Sequence, residues 1–460
     1  MRAGGFILWN EGIFTPFGTV CKRRSLSGPD RETVMKKPSL SFDMLKLRDF
    51  RLLLFTRMFA LSALQAQAVI LGWQIYMMTR DPLLLGLTGL AEAVPAIACA
   101  FFAGHIVDNS RPQRVYLYCL AALTANTVFL FIIGSGLVDI GAGHFVPLAY
   151  VAIFISGFAR AFIMPSSFSL LAQIVARKDI SSASAWMSTG FQAASIVAPA
   201  VAGVIYGGYG AAAAWVMPLA MMLAAFFMMF SIKPADRADL GKVREPALKS
   251  IREGWKFILQ SPVLLGAMSL DMLAVLFGGA IALLPAFATE ILATGSEGLG
   301  VLRAAPAAGA VIMALYLAVK PMRSIPVTRL LWVVAGFGVA MIGFGFSTSL
   351  WAAVLFLTLS GVFDSVSMVI RQTVMQLLTP DHMRGRVSSV NSMFVISSNE
   401  IGAFESGALA KLIGIVPAIV AGGAGTLLVA GATAWFSPSM RRTVIRVDED
   451  DNTEIEKKAA

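Results

Sequence analysis

Cysteine is almost absent. Cys21, Cys99 and Cys119 are the only three, and two of them fall inside apolar runs, which excludes both a disulfide framework and the paired spacing of a Cys metal site. Histidine is equally scarce, and His105, His144 and His382 stand apart from one another, so no metal-ligand cluster is expected. Charged residues make up only 14% of the chain. No Gly-rich loop ending in Gly-Lys-Ser/Thr is present, so no nucleotide module is expected, nor any other cofactor. Nothing in the pattern points to an enzyme.

What fills the chain is hydrocarbon. Hydrophobic residues reach 57% and the mean hydropathy is +0.74, beyond what the core of a water-soluble protein of 460 residues requires. A spanning helix takes about 20 apolar residues. Twelve such stretches can be marked, at 52–78, 83–107, 115–137, 146–174, 184–207, 211–232, 262–290, 298–319, 330–347, 350–378, 387–410 and 417–437. The expected fold class is therefore all-α integral membrane, with twelve transmembrane helices in two six-helix halves.

The net charge of +10 could suggest nucleic acid, but the basic residues lie between the apolar runs instead of gathering on one face. They read as a topology signal. With the N-terminus placed in the cytoplasm, 31 of the 37 Lys and Arg residues fall on the cytoplasmic side, and the opposite side carries only Arg80 and Lys411. Arg57, Arg160, Arg303 and Arg371 lie within spans. Both termini are thus expected in the cytoplasm.

Residues 1–48 read as a disordered cytoplasmic leader whose apolar patch, Phe6 to Trp9, is too short for a signal segment. Met35, followed by Lys36 and Lys37, offers an alternative start. A six-helix half is expected over 49–232, a linker over 233–261, a second half over 262–437 and a disordered acidic tail over 438–460. In the linker Leu248, Ile251, Trp255, Ile258 and Leu259 recur at helical spacing opposite Lys249, Arg252, Glu253 and Lys256, the pattern of a helix on the membrane surface.

The halves repeat. Ser156 and Gly157 match Ser360 and Gly361, and Gly203 matches Gly407, each 204 residues apart, as parallel halves about an axis along the membrane normal would give. After the second span stand Gly104, Asp108, Arg111 and Arg114: a glycine permitting close helix approach, and a carboxylate able to latch the cytoplasmic side against helix ends or an arginine. Asp381, Arg384 and Arg386 occupy the corresponding loop after span ten. Ala198, Pro199 and Gly203 make a kinkable small-residue surface in span five.

Together these motifs resemble the major facilitator superfamily over essentially all of 42–437, with Asn109 and Pro112 where that family usually carries basic residues. Span five is similar to the antiporter motif of facilitator-type exporters. Gln74 to Thr79, the Gly254-Trp255-Lys256-Phe257 run, and Thr379-Pro380-Asp381 with Arg384-Gly385-Arg386 resemble the enterobactin-exporter branch, which includes macrolide-type efflux proteins. The resemblance implies the major facilitator fold, a monomer, and proton-linked export of a siderophore or hydrophobic drug across a bacterial inner membrane.

Ionisable groups in hydrocarbon are costly, and each is a candidate for function. Asp271 and Glu92 both lie nine residues into their spans, about 13 Å deep at ~1.5 Å per residue. The family's cavity-lining spans one, four, seven and ten favour Asp271 as the coupling group. Arg160 and Asp364 are 204 residues apart, so the repeat suggests that they face one another across a central cavity. Arg371, two turns beyond Asp364, can join them or snorkel to the interface. Gln74 adds a neutral polar group to the cavity, and Glu400, Glu405, Arg303 and Arg57 are weaker candidates.

The function expected is alternating access by a secondary transporter, with the bilayer, a small-molecule substrate and protons as partners and no nucleic acid. An uptake permease for a small metabolite and a non-transporting membrane sensor are the alternatives.

Overall fold

Long apolar stretches leave the backbone no partner but itself in hydrocarbon, so they form helices. In the computed structural model, residues 42–108, 110–138, 140–176, 179–233, 247–320, 324–380, 383–437, 443–446 and 454–457 are described. The leader and its alternative start at Met35 lie outside the described residues, apart from the short turn at Phe42–Lys46 and the start of the first helix.

The first half comprises α1 (Arg48–Thr79), α2 (Pro82–Asp108), α3 (Pro112–Gly134), α4 (Gly141–Ile174) and α5 (Ile180–Phe230). The connecting helix is α6 (Ala247–Gln260). The second half comprises α7 (Pro262–Phe277), α8 (Leu284–Glu290), α9 (Ser296–Val319), α10 (Thr328–Gly345), α11 (Leu350–Leu378), α12 (Arg384–Ile413) and α13 (Ile415–Phe436).

Ten segments among the described residues are long and apolar enough to cross a membrane. The fold nonetheless has the twelve passes expected from the sequence. α5 is two passes that meet at Gly210, whose φ of 80° only a glycine adopts without strain. α12 is the other, long enough to span and the least apolar of the passes. Gly414, at φ 92°, performs the same reversal between α12 and α13. Span seven is interrupted, α7 ending before a 3₁₀ turn at Ala280–Leu283 that leads into α8. Prolines whose missing N–H costs nothing at a helix start open α3 and α7.

The apolar packing divides by side. Away from the basic loops one continuous core joins the halves, running from Val69, Ile70 and Tyr76 of α1 through Trp215 of α5 to Phe287 of α8, Leu299 of α9 and Phe344 of α10. The Phe287 and Phe344 rings are 4.4 Å apart between centroids. On the basic side the cores are separate. One, around Phe50, Leu53, Tyr116 and Met222, belongs to the first half; the other, around Ile258, Leu330, Ile370 and Val390, belongs to the second. The halves are therefore sealed together at the Lys/Arg-poor end and parted toward the basic loops.

Two expectations change here. The linker helix does not present its whole apolar face to the bilayer: Ile258 is fully buried, the Trp255 ring packs at a tilt on Phe394 of α12 with centroids 5.1 Å apart, and Gly254 fits so closely that a Cβ would lie 2.8 Å from the Arg386 carbonyl oxygen. The tail, read as disordered, contains strands. β1 (Ser324–Pro326), between α9 and α10, pairs antiparallel with β2 (Thr443–Arg446), which pairs with β3 (Glu454–Lys457). The β-branched Thr443, Val444 and Ile445 favour this pairing, and the acidic run beside them masked it.

Candidate functional site at the junction of the halves

Small residues bring the halves together along two seams. In the α5–α9 seam, Gly203 packs on Gly300, a Cβ on Gly300 would lie 2.6 Å from the Pro199 carbonyl oxygen, and Ser296 Oγ donates to the Gly203 carbonyl at 3.1 Å. The antiporter-like set Ala198, Pro199 and Gly203 is thus an inter-half packing surface, with Ala198 buried. In the α2–α12 seam Gly407, the repeat mate of Gly203, packs on Gly86, and a Cβ on Gly86 would lie 2.7 Å from the Ala403 carbonyl oxygen. Helices that approach this closely hold any charged group on them at fixed depth.

Four such groups meet at mid-depth. Glu92 of α2 and Arg160 of α4 form an ion pair, and Arg303 of α9 and Glu400 of α12 lie within electrostatic reach of both and of each other. Glu400 is seated against α2, where a Cβ on Gly89 would come 2.6 Å from its carboxylate. Glu92, Arg303 and Glu400 are each about sixteen residues from the basic-side ends of their helices, about 24 Å at ~1.5 Å per residue. Each half supplies one acid and one base from two of its helices, so the set is neutral overall and its charges interact across the junction.

Arg160 and Asp364, expected to face one another, do not. Arg160 is taken by Glu92 of its own half. Asp364 lies inside the second half against Ala274 and Val275 of α7 and Val333, Val334 and Phe337 of α10. Beside it is a void of about 10 Å³, near the size that holds one water, together with Ser367, whose buried Oγ has no hydrogen-bond partner among the described residues. Among the described residues Asp364 has no ion-pair partner. The 204-residue repeat is correct, but helix rotation turns the two side chains apart.

Asp271 is not a lone carboxylate in a cavity. It pairs with Arg371 of α11, and both side chains are buried, at 7% and 11% exposure. Arg371 therefore does not snorkel, and the pair ties α7 to α11 within the second half. Gln74 is likewise absent from the cavity. Its amide donates to the Gly134 carbonyl at 2.6 Å and accepts from Trp215 Nε1 at 3.2 Å, which locks α1 to α3 and α5 inside the first half.

Of the loop motifs, Arg386 pairs with Glu253 of α6, so it holds the linker helix to α12. Arg111 and Arg114 are exposed at the start of α3. Asp381 lies outside the described residues, and for Gly104, Asp108 and Arg384 only the backbone, at the end of α2 and the start of α12, is described.

Sequence reading missed the bolts on the Lys/Arg-poor side. Lys411 of α12 reaches Asp81 of the first half at 2.5 Å, and the Tyr76 hydroxyl of α1 donates to Glu290 of α8. The available signal was Lys411 itself, one of only two basic residues on that side.

The Major Facilitator Superfamily model matches residues 53–403. The chain is a member of that superfamily. Among curated proteins it is 26% identical over 409 residues to the enterobactin exporter EntS of Shigella boydii serotype 4, covering 85% of this chain and 92% of that protein. It is 25% identical, over the same shares, to the enterobactin exporter EntS of Escherichia coli O81. Among solved structures, a bacterial homolog to the human lysosomal transporter Spinster superposes with a TM-score of 0.64 at 14% identity, over 86% of this chain and 97% of that one. The POT family transporter PepTSo gives 0.63 at 13% identity, over 86% and 98%. The superfamily member described here is thus a multi-pass membrane transporter and not an enzyme, and its inter-half charge set and small-residue seams are the parts a rocking of the halves must rearrange.

Proposed function

We propose that this transporter is a proton-linked exporter of a siderophore or a hydrophobic drug-like molecule, residing in a bacterial inner membrane with both termini in the cytoplasm. The observation that carries the reading is the set Glu92, Arg160, Arg303 and Glu400, shared equally between halves that are sealed at one end and parted at the other. Asp364 supports the proton. A carboxyl with no cation beside it is least costly to bury while it carries its proton, so gain and loss of that proton changes the balance of states. The substrate class rests on the names of the enterobactin exporters to which the chain is similar.

The test is intracellular accumulation of catecholate siderophores and a panel of hydrophobic drugs in an efflux-deficient bacterium expressing the chain. Lower accumulation that a protonophore reverses supports the proposal. Higher accumulation of a panel member would turn the reading to uptake. No change despite verified membrane expression would sink the substrate class.

A further inference from the structure

On the outer face of the first half, between α3 and α4 and below the end of α2, a groove of about 730 Å³ opens. Its volume falls in the range of small-molecule sites, about 300–1,000 Å³. Its walls are apolar and largely uncovered, with Tyr118 at 70%, Ile155 at 48% and Phe158 at 42% exposure, and its floor is Cys119 and Ala159. The helices that α3 packs against most extensively, α4 and α5, belong to the first half, so this face turns away from the junction of the halves.

The rim is of opposite character. Arg111 and Arg114 line the groove at its basic-loop end, both exposed, and among the described residues neither is ion-paired. From Arg114 to Ala122, the deepest α3 residue of the lining, is eight residues, about 12 Å at ~1.5 Å per residue. That approaches the depth of one leaflet of a hydrocarbon core about 30 Å thick. An occupant must therefore carry an anionic head at the membrane surface and an apolar chain one leaflet long.

We propose that this groove is a site for an anionic phospholipid of the leaflet on the basic side, its phosphate held by Arg111 and Arg114 and one acyl chain lying along Tyr118, Phe158 and Phe162. Two arginines at a pocket between helices are suited to such a headgroup, and the floor residues Cys119 and Ala159 leave the trough deep enough for a chain. Because Arg111 caps α3 and Arg114 stands in its first turn, a bound lipid would tie the start of α3, and the loop that leads into it from α2, to the membrane.

Native mass spectrometry of the full chain tests this with phosphatidylglycerol and phosphatidylcholine of identical acyl chains. One phosphatidylglycerol should be retained in preference to phosphatidylcholine. Arg111→Gln with Arg114→Gln should lower its retention about 30-fold, at roughly fivefold per arginine near the surface, and Arg→Lys at both positions should keep most of it. Ala159→Phe, which fills the floor and spares both arginines, should lower retention of both lipids. Equal retention of the two lipids, or indifference to loss of the arginines, would overturn the proposal. So would displacement of phosphatidylglycerol by inorganic phosphate, which would mark a site for the anion alone. If Cys119 resists N-ethylmaleimide as strongly in lipid-free detergent as with phosphatidylglycerol, the chain itself closes the groove, and the proposal fails.

Discussion

The two halves carry the same element and fill it differently. In the first, Gly157 of α4 packs against the Glu92 carbonyl and Pro95 of α2, and three residues beyond Gly157, Arg160 reaches Glu92. In the second, Gly361 of α11 packs against the Pro306 carbonyl of α9, and the equivalent positions hold Arg303, three residues before Pro306, and Asp364, three after Gly361. The charges are exchanged between the helices. Yet the first half closes its pair while the second leaves it open: Arg303 faces Glu400 and Glu92, and Asp364 stands half-buried with no cation beside it among the described residues. Backbone packing is therefore copied between the halves, whereas the electrostatic pairing is not. The half with the unclosed pair is the one whose charges are available to change partners.

The strongest way to break this contrast is to remove the unpaired acid. Asp364→Asn should cut protonophore-sensitive efflux at least tenfold while counterflow exchange of preloaded substrate persists, because the neutral amide copies the protonated state only. If energised efflux survives, the asymmetry does not serve coupling. Next comes the closed pair. Glu92→Ala or Arg160→Ala alone should lower efflux about tenfold, and the exchange Glu92→Arg with Arg160→Glu should recover part of it; a double variant no better than the singles would show that the pair depends on its Arg303 and Glu400 surroundings.

Stability measurements sharpen the comparison further. Arg371→Gln strands buried Asp271, and loss of one partner of a buried pair costs about 3–5 kcal/mol; the added Asp271→Asn should restore much of the melting temperature in detergent. Gly157→Ala and Gly361→Ala should each destabilise by about 1–3 kcal/mol, since both new methyls meet backbone across the same kind of seam. A large difference between them would show that the copied packing is not equivalent. Smallest is Lys411→Ala. Its pair with Asp81 is half-exposed, so thermal unfolding should shift by only about 0.2–1 kcal/mol.

Much of the architecture was legible because hydropathy and basic-residue asymmetry are additive along the chain. All twelve passes, including the polar α12, and the linker helix could be marked without knowing what any helix touches. The glycine repeat was legible too, since a fixed offset survives any helix rotation. The site was legible only in its membership. Glu92, Arg160, Asp271, Asp364 and Arg371 could be singled out because charge is rare in hydrocarbon, but successive residues turn by about 100° around a helix of 3.6 residues per turn. A shift of one position moves a side chain to another neighbour, which is why Arg160 was matched with Asp364 and found on Glu92. Gln74 was misassigned for the same reason: its polarity was visible, but the Gly134 carbonyl that satisfies it was not.

The sequence by itself determined the membrane as solvent, the number of passes and the small residues at which helices can meet, because each depends on composition within one segment. Tertiary structure alone decided that Asp271 belongs to Arg371, that Glu92 belongs to Arg160, that Asp364 belongs to no cation among the described residues, and that the halves close at the Lys/Arg-poor end. Those outcomes depend on the rotation and approach of helices remote in the chain, and Coulomb energy falls with a distance that only the packed bundle fixes.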